Sequence, residues 1–247
     1  WYVGTLTVPR GCEASVLAEY VQIDAEKMNC FDNVPQAFKM AQKKVLVYGD
    51  SNTWGWIGVE EGFPSTRYDN DTRWAGVMAS ELGADYDVAV DGLTSRATNL
   101  DDSMDWNAIK AEMFNGASLL PVAIAREMPV DILVIALGTN DLKADTNRSA
   151  EDIANAIVEV AKVAQGCAGG VAYHYEAPQI LVVSPAPLNN LPHPDFAGMF
   201  AGGKEKSEAL GAALKTAADA AGIASFDAGA LVGNVAGVDG LHMDKAQ

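Results

Sequence analysis

From Lys44 onward, short β-branched runs alternate with longer stretches of helical periodicity, and this alternation constrains the fold more than any other feature of the chain. Five apolar runs read as strands, at residues 45–48, 86–90, 132–136, 180–183 and 223–226. Three of these are nearly continuous hydrophobic runs, as expected when helices cover both faces of a parallel sheet. The segments between them predict helices over 73–82, 118–126, 150–164 and 204–221. Ser149 is placed to cap the third, with Glu151 and Asp152 in its first turn, and Gly222 to end the fourth. Right-handed crossovers can make every connection. The expected class is therefore α/β, with a parallel sheet of about five strands.

Residues 1–43 stand apart from this pattern. A strand-like stretch at 2–8 precedes Pro9, and 13–28 places Val16, Leu17, Tyr20, Val21 and Met28 near helical spacing. An appended strand and helix with a packing role is expected there, beside a main domain over 44–247. Charge narrows the partners: 17 Lys and Arg against 33 Asp and Glu give a net charge of −16, a field that repels phosphate backbones and anionic lipid surfaces. Neither nucleic acid nor a membrane is expected as a partner, and no apolar run reaches the ~18 residues of a span. A water-soluble chain is expected. The compartment stays open, the cytoplasm being slightly favoured over secretion, and so does assembly into a homo-oligomer. Cys12, Cys30 and Cys167 include no C-x-x-C pair, so neither a zinc knuckle nor a disulfide framework is indicated, with a Cys12–Cys30 bridge as the minor alternative.

In an open α/β sheet, ligands bind beyond the carboxyl ends of the strands. The first strand is followed by Gly49-Asp50-Ser51, a turn that presents a serine hydroxyl. After the second comes Asp91-Gly92-Leu93-Thr94-Ser95-Arg96, after the third Gly138-Thr139-Asn140-Asp141, and after the last Asp239-Gly240-Leu241-His242. A serine hydroxyl is a poor nucleophile until a neutral imidazole accepts its proton, and that imidazole needs a carboxylate on its other nitrogen to fix the tautomer. Ser51, His242 and Asp239 are of the right types for those roles. The tetrahedral oxyanion then needs fixed donors, which the Ser51 and Ser95 N–H groups and the Asn140 side chain can supply.

Each block alone is ordinary loop chemistry, but together, in order, at strand ends, they resemble the SGNH (GDSL-type) hydrolase family. The blocks stand as Gly49-Asp50-Ser51, Gly92, Gly138-Thr139-Asn140-Asp141 and Asp239-x-x-His242, and the resemblance covers residue 44 to about 243. Within the family, the arylesterase, acyltransferase and perhydrolase subgroup is the most similar. Gly49-Asp-Ser-Asn-Thr-Trp-Gly-Trp56, Gly92-Leu-Thr-Ser-Arg-Ala-Thr-Asn99, Pro192-His-Pro-Asp-Phe196 and Val238-Asp-Gly-Leu-His242 carry that likeness. The resemblance implies a flavodoxin-like three-layer α/β/α sandwich and a cofactor-free serine esterase of short-chain acyl or aryl esters. It implies Ser51 as nucleophile, His242 as base, Asp239 as its partner, and acyl transfer to alcohols or peroxide beside hydrolysis. The expected partners are thus small-molecule esters and alcohols. A carbohydrate O-acetyl esterase or a lipase-like hydrolase is the alternative within the family, and a catalytically silent flavodoxin-like binding module the alternative outside it.

Two positions depart from the family pattern. The oxyanion glycine of many relatives aligns with Ser95, so an amide bearing a side chain must donate there. Only residues 243–247 follow His242, where the resemblance implies a further C-terminal helix. Either the chain stops short of it or residues 1–43 take over its packing. The substrate-binding candidates are Trp54, Trp56, Thr94, Met199 and Phe200, an apolar wall for the acyl or alcohol group. Arg96 reads as a structural ion-pair partner. Among the remaining histidines, His174 and His193, only His193 with Asp195 offers a second triad, in a Pro/Gly/Asn-rich stretch over 185–203 that reads as loop. No metal-ligand spacing and no phosphate-binding loop occur, so no metal and no cofactor are expected.

Overall fold

A computed structural model describes residues 42–168 and 175–247. The chain divides into Trp1–Ala41 and Gln42–Gln247. The strand and helix expected within 1–43, Cys12, Cys30 and His174 lie outside the described residues.

In the second unit the elements run β1 (Lys43–Gly49), α1 (Ser51–Trp54), α2 (Trp74–Leu82), β2 (Tyr86–Gly92), α3 (Gly116–Glu127), β3 (Ile132–Ala136), α4 (Ala150–Gln165), β4 (Gln179–Ser184), α5 (Pro194–Met199), α6 (Gly203–Ala221), β5 (Ala224–Asp227) and α7 (Ala228–Val232). The five strands pair in parallel in the order β2-β1-β3-β4-β5. Strand alternation sorts the core into two layers. Leu46 and Tyr48 of β1 pack with Leu120 and Ile124 of α3, Ile153 and Ile157 of α4, and Leu210 and Leu214 of α6. Val45 and Val47 turn the other way, into a smaller cluster with Val134, Ala75 and the α2 side chains Trp74 and Met78. The result is the expected three-layer α/β/α sandwich.

The helix signals act as chemistry requires. The Ser149 hydroxyl accepts from the Asp152 N–H while the Asp152 carboxylate accepts from the Ser149 N–H, a reciprocal cap at the start of α4. Gly222, left-handed at φ 67°, ends α6. The stretch over 185–203 differs from the loop expectation because it contains α5. His193 caps that helix and Pro194 occupies its first turn, where the missing N–H costs nothing. Among the described residues no helix is long and apolar enough to cross a membrane.

This strand order reverses direction between β1 and β3, so the crevice at their carboxyl ends is where a ligand belongs in such a sheet. The residues that follow these two strands begin with Asp50 and Ser51 after β1 and lead to Asn140 after β3.

Candidate active site

The serine turn is built by three short-range devices. Asp50, almost fully buried, caps α1 by accepting from the Asn52 N–H at 3.0 Å. The four-residue helix stops at Gly55, left-handed at φ 98°. The Gly55 and Trp56 N–H groups both donate to the Ser51 carbonyl, each at 3.0 Å. Ser51 is thus the first residue of its helix, where the N–H has no partner within the helix. β2 closes on this turn through Gly92, whose place admits no side chain: a Cβ there would stand 2.5 Å from the Trp54 nitrogen.

His242 Nε2 lies 2.9 Å from the Ser51 hydroxyl, and its Nδ1 lies 2.7 Å from Asp239 Oδ2. All three residues are buried, with exposures of 5% or less. The second carboxylate oxygen of Asp239 accepts from the Leu241 and His242 N–H groups, both at 3.0 Å. Burial pushes the Asp239 carboxyl up, but the imidazole and the two backbone donors outweigh it and hold the group below its usual range. A fixed carboxylate keeps the Nδ1 proton in place and leaves Nε2 free to accept from the serine.

A second network ties two of the oxyanion candidates, Ser95 and Asn140, to one turn after β2. Residues 93–96 form a turn closed by the Arg96 N–H donating to the Leu93 carbonyl. Its third residue is Ser95, at φ 63°, the left-handed region that favours glycine. Asn140 Nδ2 donates to the Arg96 carbonyl at 3.0 Å, which leaves its second amide hydrogen for a ligand. Arg96 is buried. Its guanidinium donates to the Gly49 and Asp91 carbonyls and to the Asp91 carboxylate at 2.7 to 2.9 Å, and lies 3.9 Å over the Tyr48 ring. The sequence reading of an ion-pair partner is thus correct, and the pair ties the turn to the ends of β1 and β2. Asp141, next to Asn140, accepts from the Thr98 N–H and hydroxyl and pairs with Arg148, so the loops after β2 and β3 are locked together.

Among the substrate-binding candidates, Trp56 stacks on the His242 ring, with centroids 4.9 Å apart and planes 18° apart. Phe63 packs edge-on against Trp56 and Trp106 edge-on against Phe63, at 6.0 and 6.2 Å. An aromatic series therefore runs outward from the histidine to Phe63, which is 58% exposed. Trp54 adjoins Trp56 and carries the Arg67 guanidinium over its ring. Thr94 is the second residue of the Ser95 turn, and Met199 packs partly buried against the main core. Phe200, just past the end of α5, is 2% exposed in the main core and meets Phe196 edge-on. Phe196, of α5, also reaches His242, at 6.0 Å and edge-on. The second triad is set aside too. His193 Nδ1 accepts from the Asp195 backbone N–H and Nε2 donates to the Gly62 carbonyl, so both ring nitrogens are committed to holding loops. Sequence reasoning missed Phe63 and Trp106, for which aromatic type was the only signal, and had Phe196 only as the end of the Pro192-His-Pro-Asp-Phe196 motif.

A model of the GDSL-like lipase/acylhydrolase family matches residues 47–246. The chain belongs to this family. Three solved structures are similar over 83% of the chain. The native aryl esterase of M. smegmatis is 42% identical over 92% of its own length, with a TM-score of 0.76. Est24, a carbohydrate acetylesterase from Sinorhizobium meliloti, is 42% identical over 92% of its length, with a TM-score of 0.77. A carbohydrate acetylesterase family member from Sinorhizobium meliloti is 32% identical over 91% of its length, with a TM-score of 0.70. Among curated proteins none matches. This GDSL-like hydrolase is a carboxylic ester hydrolase.

The site's electrostatics give an expected pH profile for the hydrolase. Because the Asp239 carboxyl is held low, it is already ionised where an imidazole takes up a proton, and it loses its charge only at lower pH. The loss of activity in acid is therefore expected to follow a single-proton limb, since Asp239 keeps its charge down to lower pH. A log kcat/KM profile with a limiting slope of one checks this. A slope of two would place the carboxylate's titration in the same window.

Proposed function

We propose that this hydrolase cleaves short-chain acyl and aryl esters through an acyl-enzyme on Ser51, with His242 as base and Asp239 as its partner. The observation that carries the reading is the unbroken hydrogen-bonded series from the Ser51 hydroxyl to His242 and Asp239 at the carboxyl end of β1. Ser51 Oγ attacks the ester carbonyl carbon while Nε2 takes its proton. The alcohol leaves with that proton, and water repeats the sequence in reverse, yielding the acid and restoring the serine. The Ser51 and Ser95 N–H groups and the Asn140 amide hold the oxyanion. Asn140→Ala is expected to lower kcat by about 10² to 10³ with little change in KM, because the amide serves the tetrahedral state. A mutant altered mainly in KM would move Asn140 to substrate binding.

The aromatic series from Trp56 through Phe63 to Trp106 favours an apolar or aryl alcohol portion over a sugar. A panel of p-nitrophenyl esters of increasing chain length beside an acetylated sugar tests the choice. Faster turnover of the sugar ester would favour the carbohydrate acetylesterase reading. The same wall supports acyl transfer. Water at ~55 M outcompetes a dilute alcohol unless the pocket favours the alcohol by about 2–3 kcal/mol, which burying a few CH₂ groups supplies. Transfer from a vinyl ester is expected to rise from ethanol to hexanol, and Phe63→Ala, remote from the imidazole, to flatten that rise. Hydrolysis taking nearly all acyl groups whatever the alcohol would leave a plain esterase.

A further inference from the structure

Trp56 sits where two requirements of the base meet. Its backbone N–H donates to the Ser51 carbonyl, so its place is fixed relative to the nucleophile. A bridge pairs it with Arg67, and the Phe63 edge abuts its ring. The indole lies nearly parallel to the His242 ring at 4.9 Å, well inside the ~6 Å at which an aromatic face attracts a cation. We infer that Trp56 is a positioning residue for His242: its face holds the imidazole in plane between Ser51 and Asp239 and stabilises the imidazolium formed when the serine proton is taken.

This inference rests on the reading of His242 as the base and goes beyond the wall assigned to Trp56 from sequence. An offset-stacked neutral pair is attractive by itself, and the attraction grows when one ring becomes cationic. Because that charge appears only as the proton transfers, the gain falls on the transition state rather than on bound ester. The surroundings leave this task to few groups. Asp239 faces the imidazole from its own turn, and Asp50 acts on it electrostatically from the β1–α1 turn. From α5 comes Phe196, with its ring edge-on at 65° to the imidazole, and behind it His193, whose two nitrogens are already bonded. His242 is 2% exposed, so water supplies little competing stabilisation.

A substrate wall and a support for the base leave different signatures. A wall acts on the alcohol portion, so its loss depends on which ester is used; a support acts on every ester alike. Trp56→Leu is expected to lower kcat/KM about tenfold by the same factor for methyl, ethyl and phenyl acetate. It is also expected to move the acid limb down by about half a pH unit, since the charged imidazole loses its aromatic face while an apolar neighbour still excludes water. Trp56→Phe, which keeps a face, is expected to stay within about threefold of the parent. Replacement of Trp56 by mono- and difluorotryptophan keeps the shape, so folding is not at issue, and is expected to lower the limb stepwise as fluorine withdraws charge from the ring. A limb unmoved across the fluorinated series, or a Trp56→Leu loss confined to phenyl acetate, overturns the inference. His242→Ala run beside these variants separates the two claims. Activity surviving there overturns the triad reading itself, whereas an inactive His242→Ala with an unmoved limb overturns the role of Trp56 alone.

Discussion

Ser51→Ala is expected to lower kcat by roughly 10⁴ to 10⁶ while leaving the fold intact. The hydroxyl's partner is His242 Nε2, and the turn that presents it is held by Asp50, Gly55 and the Ser51 carbonyl, none of which the substitution touches. What survives is the residual rate from binding and the oxyanion donors. His242→Ala is expected to fall as far, and the double mutant to be little worse than either single one, because the two groups act as one unit. Activity of Ser51→Ala within tenfold of the parent, measured with p-nitrophenyl acetate, would remove Ser51 from the mechanism.

Asp239→Asn is expected to cost about 10⁴ in kcat, and for a different reason. Asp239 Oδ1 accepts from two backbone N–H groups, which the amide oxygen of asparagine can continue to satisfy. The new NH₂ would then face His242 Nδ1 at the 2.7 Å position and must donate to it. That choice moves the imidazole proton to Nε2, pointing at Ser51, where a proton acceptor is needed. Little room exists for escape: a Cβ placed on Gly58 would lie 3.1 Å from the carboxylate atoms, so the loop backbone closes over Asp239. Near-parental activity in a folded Asp239→Asn would show that the tautomer is fixed elsewhere.

Most of this architecture was legible in the sequence because it is written in local signals. The apolar runs of β1 and β3 predicted a covered parallel sheet, and Ser149 and Gly222 marked the ends of two long helices that the structure places within a residue or so. Ser51 was legible because it follows the end of β1, where such a sheet places chemistry; Asp239 and His242 lie beyond β5 and α7 and were legible from their Asp-x-x-His spacing and the family resemblance, and the structure joins the three by hydrogen bonds. Short elements were not legible. α5 and α7 span six and five residues, too few for a helical period to emerge, and Pro194 reads as a loop marker although it suits a first turn. Contacts between distant loops also left no trace. Nothing in the chain announces that Trp56 would lie against His242, that Arg148 would pair with Asp141, or that Phe196 rather than Phe200 would reach the imidazole. Such pairings depend on how loops from four strand ends pack together, which no single period records. Ser95 shows the same limit from the other side: its role was argued from the N–H, while its left-handed φ of 63° emerged only with the turn itself.

Covalent trapping of the nucleophile tests the central claim most directly. The folded protein is treated with an organophosphate or sulfonyl fluoride and digested, and the modified peptide is identified by mass spectrometry. Stoichiometric modification of Ser51, in step with loss of esterase activity, abolished in Ser51→Ala and greatly slowed in His242→Ala, is the result the hydrogen-bonded series predicts. An active, folded protein that takes no adduct on Ser51, or that loses activity through an adduct elsewhere, would contradict it.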